Sequence, residues 1–365
     1  MLVINASQYI SPGMGGAERY IQEVCSRLEN KGMRIHFLSA EGGQDLKIST
    51  PFRLFSAGFH PLWPRQVDDI LNKLRPDVIF AHFTVPGITD VVLRRARRLN
   101  IPVCLSYHSD VAGPDWYRRA LGHIYYKLIG CETLECSDRI LVCSREYKEA
   151  SPWLALPIKP FEFVTCGVDP IMAKARKKSC SPYLFFAGKP DVASKGFEVL
   201  YKAWISLKHA YPGLGLLVAG RSSMADRYPG ADFLGQVSSR QELADLYASA
   251  SVTVLPSISS ESFGMVLAES LVAGTPVVGS NIGGIAAIVE EGVNGYPARP
   301  GDVDSLAKAI SKVLRSEKEL RENIRLSRDK YLEIYNWDRI TDRVEEVLYI
   351  LKRNASCACK KSGHE

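Results

Sequence analysis

The stretch that most limits what this chain can fold into runs from Val252 to Gly279. Val252-Thr-Val-Leu-Pro256 is an apolar run that reads as a buried parallel strand. A Ser-rich turn follows, and Phe263, Val266, Leu267, Ser270 and Leu271 then recur at helical spacing until Gly274 supplies a stop. Pro276-Val-Val-Gly279 is the next strand. Strand, helix and strand in this order form one crossover unit of a parallel sheet.

Two carboxylates bracket that helix. Glu261 falls just before or at its first turn and Glu269 about two turns further in. At about 1.5 Å per residue the spacing predicts a separation of roughly 12 Å along the axis. That span suits a ligand with a polar head, a diphosphate middle and a ribose end. The diphosphate would rest on the N–H groups of Phe263, Gly264 and Met265, where the helix dipole is positive. Gly264 removes a Cβ that would block the approach, and Ser262 is placed to cap the helix. Two glutamates eight apart are also compatible with a plain helix carrying an acidic first turn.

The whole unit, Glu261-Ser-Phe-Gly through Glu269 and on to Gly283-Gly284 and Gly292-Val-Asn-Gly-Tyr296, resembles the Glu-x7-Glu signature of the family 4 retaining glycosyltransferases. The resemblance covers most of the chain and points to the bacterial and archaeal polysaccharide-type branch. It implies an α/β chain with the GT-B fold, two Rossmann-like α/β/α domains facing each other across a cleft. The expected division is 1–168 for an acceptor-side domain, 169–182 for a linker, and 183–338 for the domain that binds a nucleotide sugar. A helix over 339–353 then crosses back to the first domain, and the polar tail 354–365 is expected to be disordered.

Length and composition allow this. The 365 residues suffice for two ordinary domains, and 46% apolar residues support proper cores. The net charge of +6 is mild, and its basic residues are not interleaved with aromatics along one element, which argues against nucleic acid. An anionic membrane face is the better fit. Nine scattered cysteines, an odd count, fit reduced thiols in a cytosolic protein, and Cys357-Ala-Cys359 with His364 lacks the usual zinc spacing. No run of 18 apolar residues and no signal peptide is expected.

The N-terminal half reads as a second nucleotide-type unit. Leu2-Val-Ile4 is a strand, Ser11-Pro-Gly-Met-Gly-Gly16 a glycine loop, and Ala17–Leu28 a helix. The loop is not Gly-x-Gly-x-x-Gly, which disfavours a dinucleotide dehydrogenase. By resemblance, Gly15 and Gly16 face the donor diphosphate and acceptor; a tight turn is the simpler reading. His108-Ser-Asp110 ends a strand, where ligands of open parallel sheets bind. The family's acceptor-side motif there places a His beside the donor sugar, so His108 is a catalytic candidate, and Asp110 either caps a helix or orients that ring. Trp116-Tyr-Arg-Arg119 opens a helix that rests on a membrane, lines an acceptor cleft or is an ordinary solvated face.

In the second half, Tyr183–Gly188 is a strand, and Lys195-Gly196 opens a helix. The family has an Arg after that Gly and a Lys further on, both neutralising diphosphate. Lys189 stands in the Arg position, keeping charge but losing the bidentate fork, and Lys195 matches the Lys. Ala286-Ala287 stand where the family has Pro-Glu, so one acidic contact is missing. Gly301-Asp-Val-Asp304 contains Asp-x-Asp, but it precedes an amphipathic helix and capping explains it.

The expectation is therefore a metal-independent, cofactor-free hexosyltransferase. Glu261, His108 and Lys195 are the catalytic residues, and Gly15, Gly16, Lys189, Lys195, Phe263, Gly264, Met265 and Glu269 hold the donor. It moves a sugar from a UDP- or GDP-type donor to a glycan or polyprenyl-linked acceptor in cell-surface polysaccharide assembly. It is cytoplasmic, with a possible peripheral seat on the inner membrane face. The rivals are a nucleotide-sugar epimerase on the same fold and a non-catalytic carbohydrate-binding module.

Overall fold

The computed structural model describes residues 1–9, 15–41, 45–48, 50, 52–54, 57–111, 116–155, 159–178, 181–259 and 261–362. The chain divides into two compact units. The first comprises Met1–Cys143, Ser151–Thr165 and Trp337–Glu365; the second comprises Ser144–Ala150 and Cys166–Asn336.

The first unit starts with β1 (Leu2–Tyr9), α1 (Gly16–Asn30), β2 (Arg34–Glu41) and the short β3 (Leu46–Lys47). A small antiparallel pair follows, β4 (Phe52–Leu54) and β5 (Ala57–Phe59), then α2 (Trp63–Leu74), β6 (Val78–Phe83), α3 (Ile88–Arg98) and β7 (Val103–Tyr107). Next come α4 (Trp116–Tyr125), a π-helical turn over Tyr126–Gly130, α5 (Cys131–Glu135) and β8 (Arg139–Val142). The short α6 (Arg145–Ala150) belongs to the second unit, and β9 (Phe161–Phe163) returns to the first. The large sheet has the order β3-β2-β1-β6-β7-β8-β9, all parallel. Both faces of a parallel sheet are covered, so its strands are apolar almost throughout: all six residues of β6 and all five of β7 are buried. Against that background Asn5, Ser7 and Gln8 of β1, Ser39 of β2, His82 of β6 and Ser106 of β7 are buried polar residues.

The second unit repeats the scheme with β10 (Tyr183–Ala187), α7 (Phe197–Leu207), β11 (Gly215–Ala219), β12 (Asp232–Gly235), α8 (Arg240–Ser249), β13 (Val252–Leu255), α9 (Met265–Val272), β14 (Val277–Ser280), β15 (Gly295–Ala298), α10 (Val303–Leu326) and α11 (Arg328–Ile334). Its sheet order is β12-β11-β10-β13-β14-β15. Phe186, Phe197, Trp204, Val254, Val278 and Ile310 knit sheet, α7 and α10 into one core. Trp204 satisfies its indole N–H on the Leu214 carbonyl at 2.8 Å, so its bulk is buried without an orphaned donor.

The last helix, α12 (Trp337–Ser362), packs against α1 within the first unit. Arg27 meets Asp338 at 2.9 Å, Lys31 meets Glu345 at 2.5 Å, and Lys352 meets Asp77 at 3.1 Å. The expected disorder from Asn354 is corrected: the helix continues to Ser362. No Gly or Pro interrupts Asn354–Ser362, and a helix begun on a docked face propagates at low cost. The N-terminal half was also expected to keep 144–150, but α6 packs on the 3-10 turn Gly283–Ala287 of the second unit, where Tyr147 is buried. No helix among the described residues is long and apolar enough to cross a membrane.

Candidate functional site

Both sheets reverse their strand order at one place, between β1 and β6 in the first unit and between β10 and β13 in the second. In open parallel sheets, the loops leaving the carboxyl ends of the strands at such a switch point diverge and leave room for a ligand.

In the second unit those loops are 188–196 and 256–264. They are stitched together by the Ile258 N–H donating to the Ser194 carbonyl at 2.9 Å. Gly196 permits the approach. Its φ is +68°, and a Cβ there would lie 2.0 Å from the Pro256 carbonyl oxygen. With the loops this close, Lys195 Nζ reaches Glu261 Oε2 at 2.5 Å, and the Ser257 hydroxyl donates to the same oxygen at 3.4 Å. The two charged side chains remain partly open, 34% and 20% exposed, so an incoming anion can reach the lysine.

The turn from Glu261 into α9 differs from its sequence reading. The helix begins at Met265, and its cap is Gly264 in the left-handed conformation, φ +95°. Ser262 is therefore not the cap, and Glu261 lies four residues ahead of the helix rather than on its first turn. The roughly 12 Å helical spacing to Glu269 does not apply. The apolar period that includes Phe263 arises because its ring is buried against Tyr335, with centroids 5.9 Å apart, and not because it is helical. Gly284 lies directly beneath this turn. Its N–H donates to the Glu261 carbonyl at 2.7 Å, and a Cβ on it would meet the Ser262 carbonyl oxygen at 2.0 Å.

Glu269 lies within α9, 5% exposed, where it accepts the Tyr247 hydroxyl at 2.8 Å. Lys189 is exposed just past β10, after Gly188. The loop that carries it is tied to the one after β11: Asp191 accepts from the Ser223 N–H and hydroxyl, each at 2.8 Å, and from the Ser222 hydroxyl. These donors hold the Asp191 carboxyl below its ordinary range. Asp302 accepts from the Ser305 N–H at 2.8 Å, the capping role expected for the Asp-x-Asp stretch.

In the first unit, Gly15 is extended and Gly16 opens α1, while 11–14 of the glycine loop lie outside the described residues. His108 follows β7 and is 7% exposed. Its Nε2 lies 3.0 Å from His82 Nδ1, and His82 Nε2 lies 2.8 Å from Asn5 Nδ2. Tyr20 sets its ring edge against both imidazoles. Burial disfavours a charged ring, so the His108 pKa falls to about 4 and that of His82 lies well below the ordinary value, lowered further by His108. Both rings are neutral near pH 7. Asp110 accepts from the Tyr107 hydroxyl at 2.8 Å and the Ser151 hydroxyl at 2.7 Å; the ring that meets His108 is His82.

His82 and Asn5 were not singled out from the sequence, nor were Tyr247, Ser257 and Asp191. One signal was available: His82 and His108 both stand at the carboxyl ends of strands, and a polar Asn interrupts the apolar β1. Nothing in the sequence pairs β6 with β7, and that pairing is what brings the rings together.

Two family models match the chain in succession, "Glycosyltransferase Family 4" over residues 14–171 and "Glycosyl transferases group 1" over residues 168–328. A phosphatidyl-myo-inositol mannosyltransferase of Mycolicibacterium smegmatis is 29% identical, covering 91% of this chain and 89% of that protein. A glycogen synthase of Mycobacterium tuberculosis is 27% identical over 76% of this chain and 70% of that protein. Among solved structures, sucrose-phosphate synthase of Thermosynechococcus elongatus superposes with a TM-score of 0.75 at 19% identity, covering 96% and 98% of the two chains. Anabaena HepE in complex with UDP and glucose gives 0.73 at 16% identity, covering 96% and 100%. Two consecutive glycosyltransferase models that share the chain between them, on two parallel sheets of Rossmann order, make it a family 4 glycosyltransferase with the GT-B fold.

Proposed function

We propose that the chain moves a hexosyl unit from a UDP- or GDP-type sugar to a glycan or lipid-linked saccharide in cell-surface polysaccharide synthesis, with retention of anomeric configuration and without a metal ion. The observation that carries this is the Lys195–Glu261 pair at the second unit's switch point, beside the glycine-capped start of α9. Lys195 and Lys189, with the backbone N–H groups of Phe263, Gly264 and Met265, supply positive charge where a departing diphosphate would gather negative charge. That charge does the work a divalent cation does in other transferases.

Glu269, which accepts the Tyr247 hydroxyl, is the carboxylate that takes the vicinal hydroxyls of a ribose. Glu261 takes sugar hydroxyls, with the lysine beside it on the diphosphate. His108 and the Gly15-Gly16 end of the glycine loop are the first unit's own candidates for contact with sugar and diphosphate. Retention follows from attack on the face the diphosphate leaves, with its oxygen taking the acceptor proton.

Relatives named as phosphatidyl-myo-inositol mannosyltransferase and as glycogen synthase act on a lipid and on a glycan, respectively. A lipid-linked acceptor at the inner membrane face is supported here by one surface. Trp116, Tyr117, Leu121, Ile124 and Leu128 are exposed along α4 and the π turn, with Arg118, Arg119 and Lys127 among them. Such a basic, aromatic face suits an anionic bilayer.

The test is a thermal-shift screen of UDP-, GDP-, ADP- and TDP-sugars in EDTA, followed by product analysis. One sugar nucleotide should raise the melting temperature and be consumed with retention. Free sugar or its epimer as the sole product, or a strict need for metal, would sink the reading. Failure to float with anionic vesicles would remove the membrane part alone.

A further inference from the structure

Asn5, His82 and His108 come from three neighbouring positions in the first sheet, β1, β6 and the end of β7, and are 0%, 0% and 7% exposed. They form a continuous line of hydrogen bonds, 2.8 Å from Asn5 to His82 and 3.0 Å from His82 to His108. Tyr20 and Phe80 wall the line with their ring edges. A neutral imidazole carries a single N–H, so each ring in such a line fixes the next.

The direction of the line turns on how the Asn5 amide faces at its buried end. Asn5 Nδ2 also lies 3.1 Å from Cys25 Sγ and donates to it. With the amide nitrogen donating there and to His82 Nε2, that ring nitrogen is an acceptor. The His82 proton then sits on Nδ1 and is donated to His108 Nε2. His108 is left with its own proton on Nδ1, and among the described residues no group is bonded to that nitrogen.

We infer that His82, oriented by Asn5, is a positioning residue that locks His108 as the Nδ1–H tautomer, so that His108 acts on an oxygen of the transferred sugar as a neutral hydrogen-bond donor and not as a base. This rests on the reading that His108 touches the sugar. The opposite turn of the Asn5 amide reverses every bond in the line. It would make His108 Nδ1 a bare acceptor, so the two cases predict opposite chemistry.

Long-range 1H–15N correlation spectra of the histidine-labelled full chain decide between them without any substrate. A protonated Nδ1 and a bare Nε2 on His108 are expected; a protonated Nε2 overturns the proposal. In His82→Phe the bond is lost, His108 should relax to mixed tautomers, and kcat should fall at least about tenfold with KM for the donor little changed. An unchanged ring spectrum together with unchanged kcat would overturn the role given to His82. If that variant does not fold, the wild-type spectrum still decides. Full transfer by His108→Ala would refute the reading of the site, and is told apart because the wild-type spectrum would still report Nδ1–H.

Discussion

The two units share a sheet order and a switch point but equip them in opposite ways. The second unit places opposite charges there, Lys195 against Glu261 at 2.5 Å, with both side chains partly in solvent. The first places two neutral imidazoles there, sealed from solvent and held at below their ordinary basicity. A parallel sheet supplies the opening in both cases; burial decides what chemistry the opening can do. Exposed charge binds an anion and exchanges partners readily, whereas a buried neutral pair fixes geometry and resists protonation.

The largest test of this contrast is Lys195→Ala. Loss of positive charge at the leaving group should lower kcat about 100- to 1000-fold, measured by steady-state transfer. Its melting temperature should barely move, because a partly exposed ion pair adds little stability. A large melting shift with intact kcat would make the pair structural and remove the contrast.

The buried imidazoles should instead appear in the pH dependence of stability. The unfolded His108 titrates near about 6.5, and the folded one at about 4. Between those values the unfolded chain binds a proton that the folded unit refuses. The first unit should therefore hold its full stability above about pH 6.5 and lose on the order of 3 kcal/mol on descending to about pH 4. His82, shifted the same way, adds to the loss. Hydrogen exchange of β6 and β7 across that range measures it, and His108→Phe should flatten the curve. A flat wild-type profile would mean that the rings are not sealed.

Gly284→Ala is expected to cost about 2 to 3 kcal/mol, since its Cβ would sit 2.0 Å from the Ser262 carbonyl oxygen and push the turn that carries Glu261. Calorimetry together with donor titration would show both effects, and an unaltered donor affinity would mean that the turn does not hold the donor. The smallest effect belongs to Lys31→Ala on the surface between α1 and α12. It should lower stability by less than about 1 kcal/mol in urea unfolding and leave kcat unchanged.

How much was legible beforehand depends on range. The strand-turn-helix-strand run over 252–279 announced itself, because period and glycine stops are local properties of sequence. Glu261, Lys195 and Gly264 were found on that basis. The position of Glu261 ahead of the helix was missed, because Phe263 keeps the helical apolar period while Gly264 turns the backbone left-handed. His82 and Asn5 were missed because their importance lies in β1 standing beside β6 and β6 beside β7, pairings that no local pattern encodes.

By itself, then, the sequence determined two parallel α/β units, the family and the residue types at each strand end, since burial period, glycine placement and charge are written residue by residue. Tertiary structure alone decided which of those residues meet. Lys195 reaches Glu261 only because Gly196 lets one loop lie on another, and His108 is neutral because the assembled sheet buries it. Contact and desolvation depend on chain segments tens of residues apart, and so become defined only when the sheets assemble.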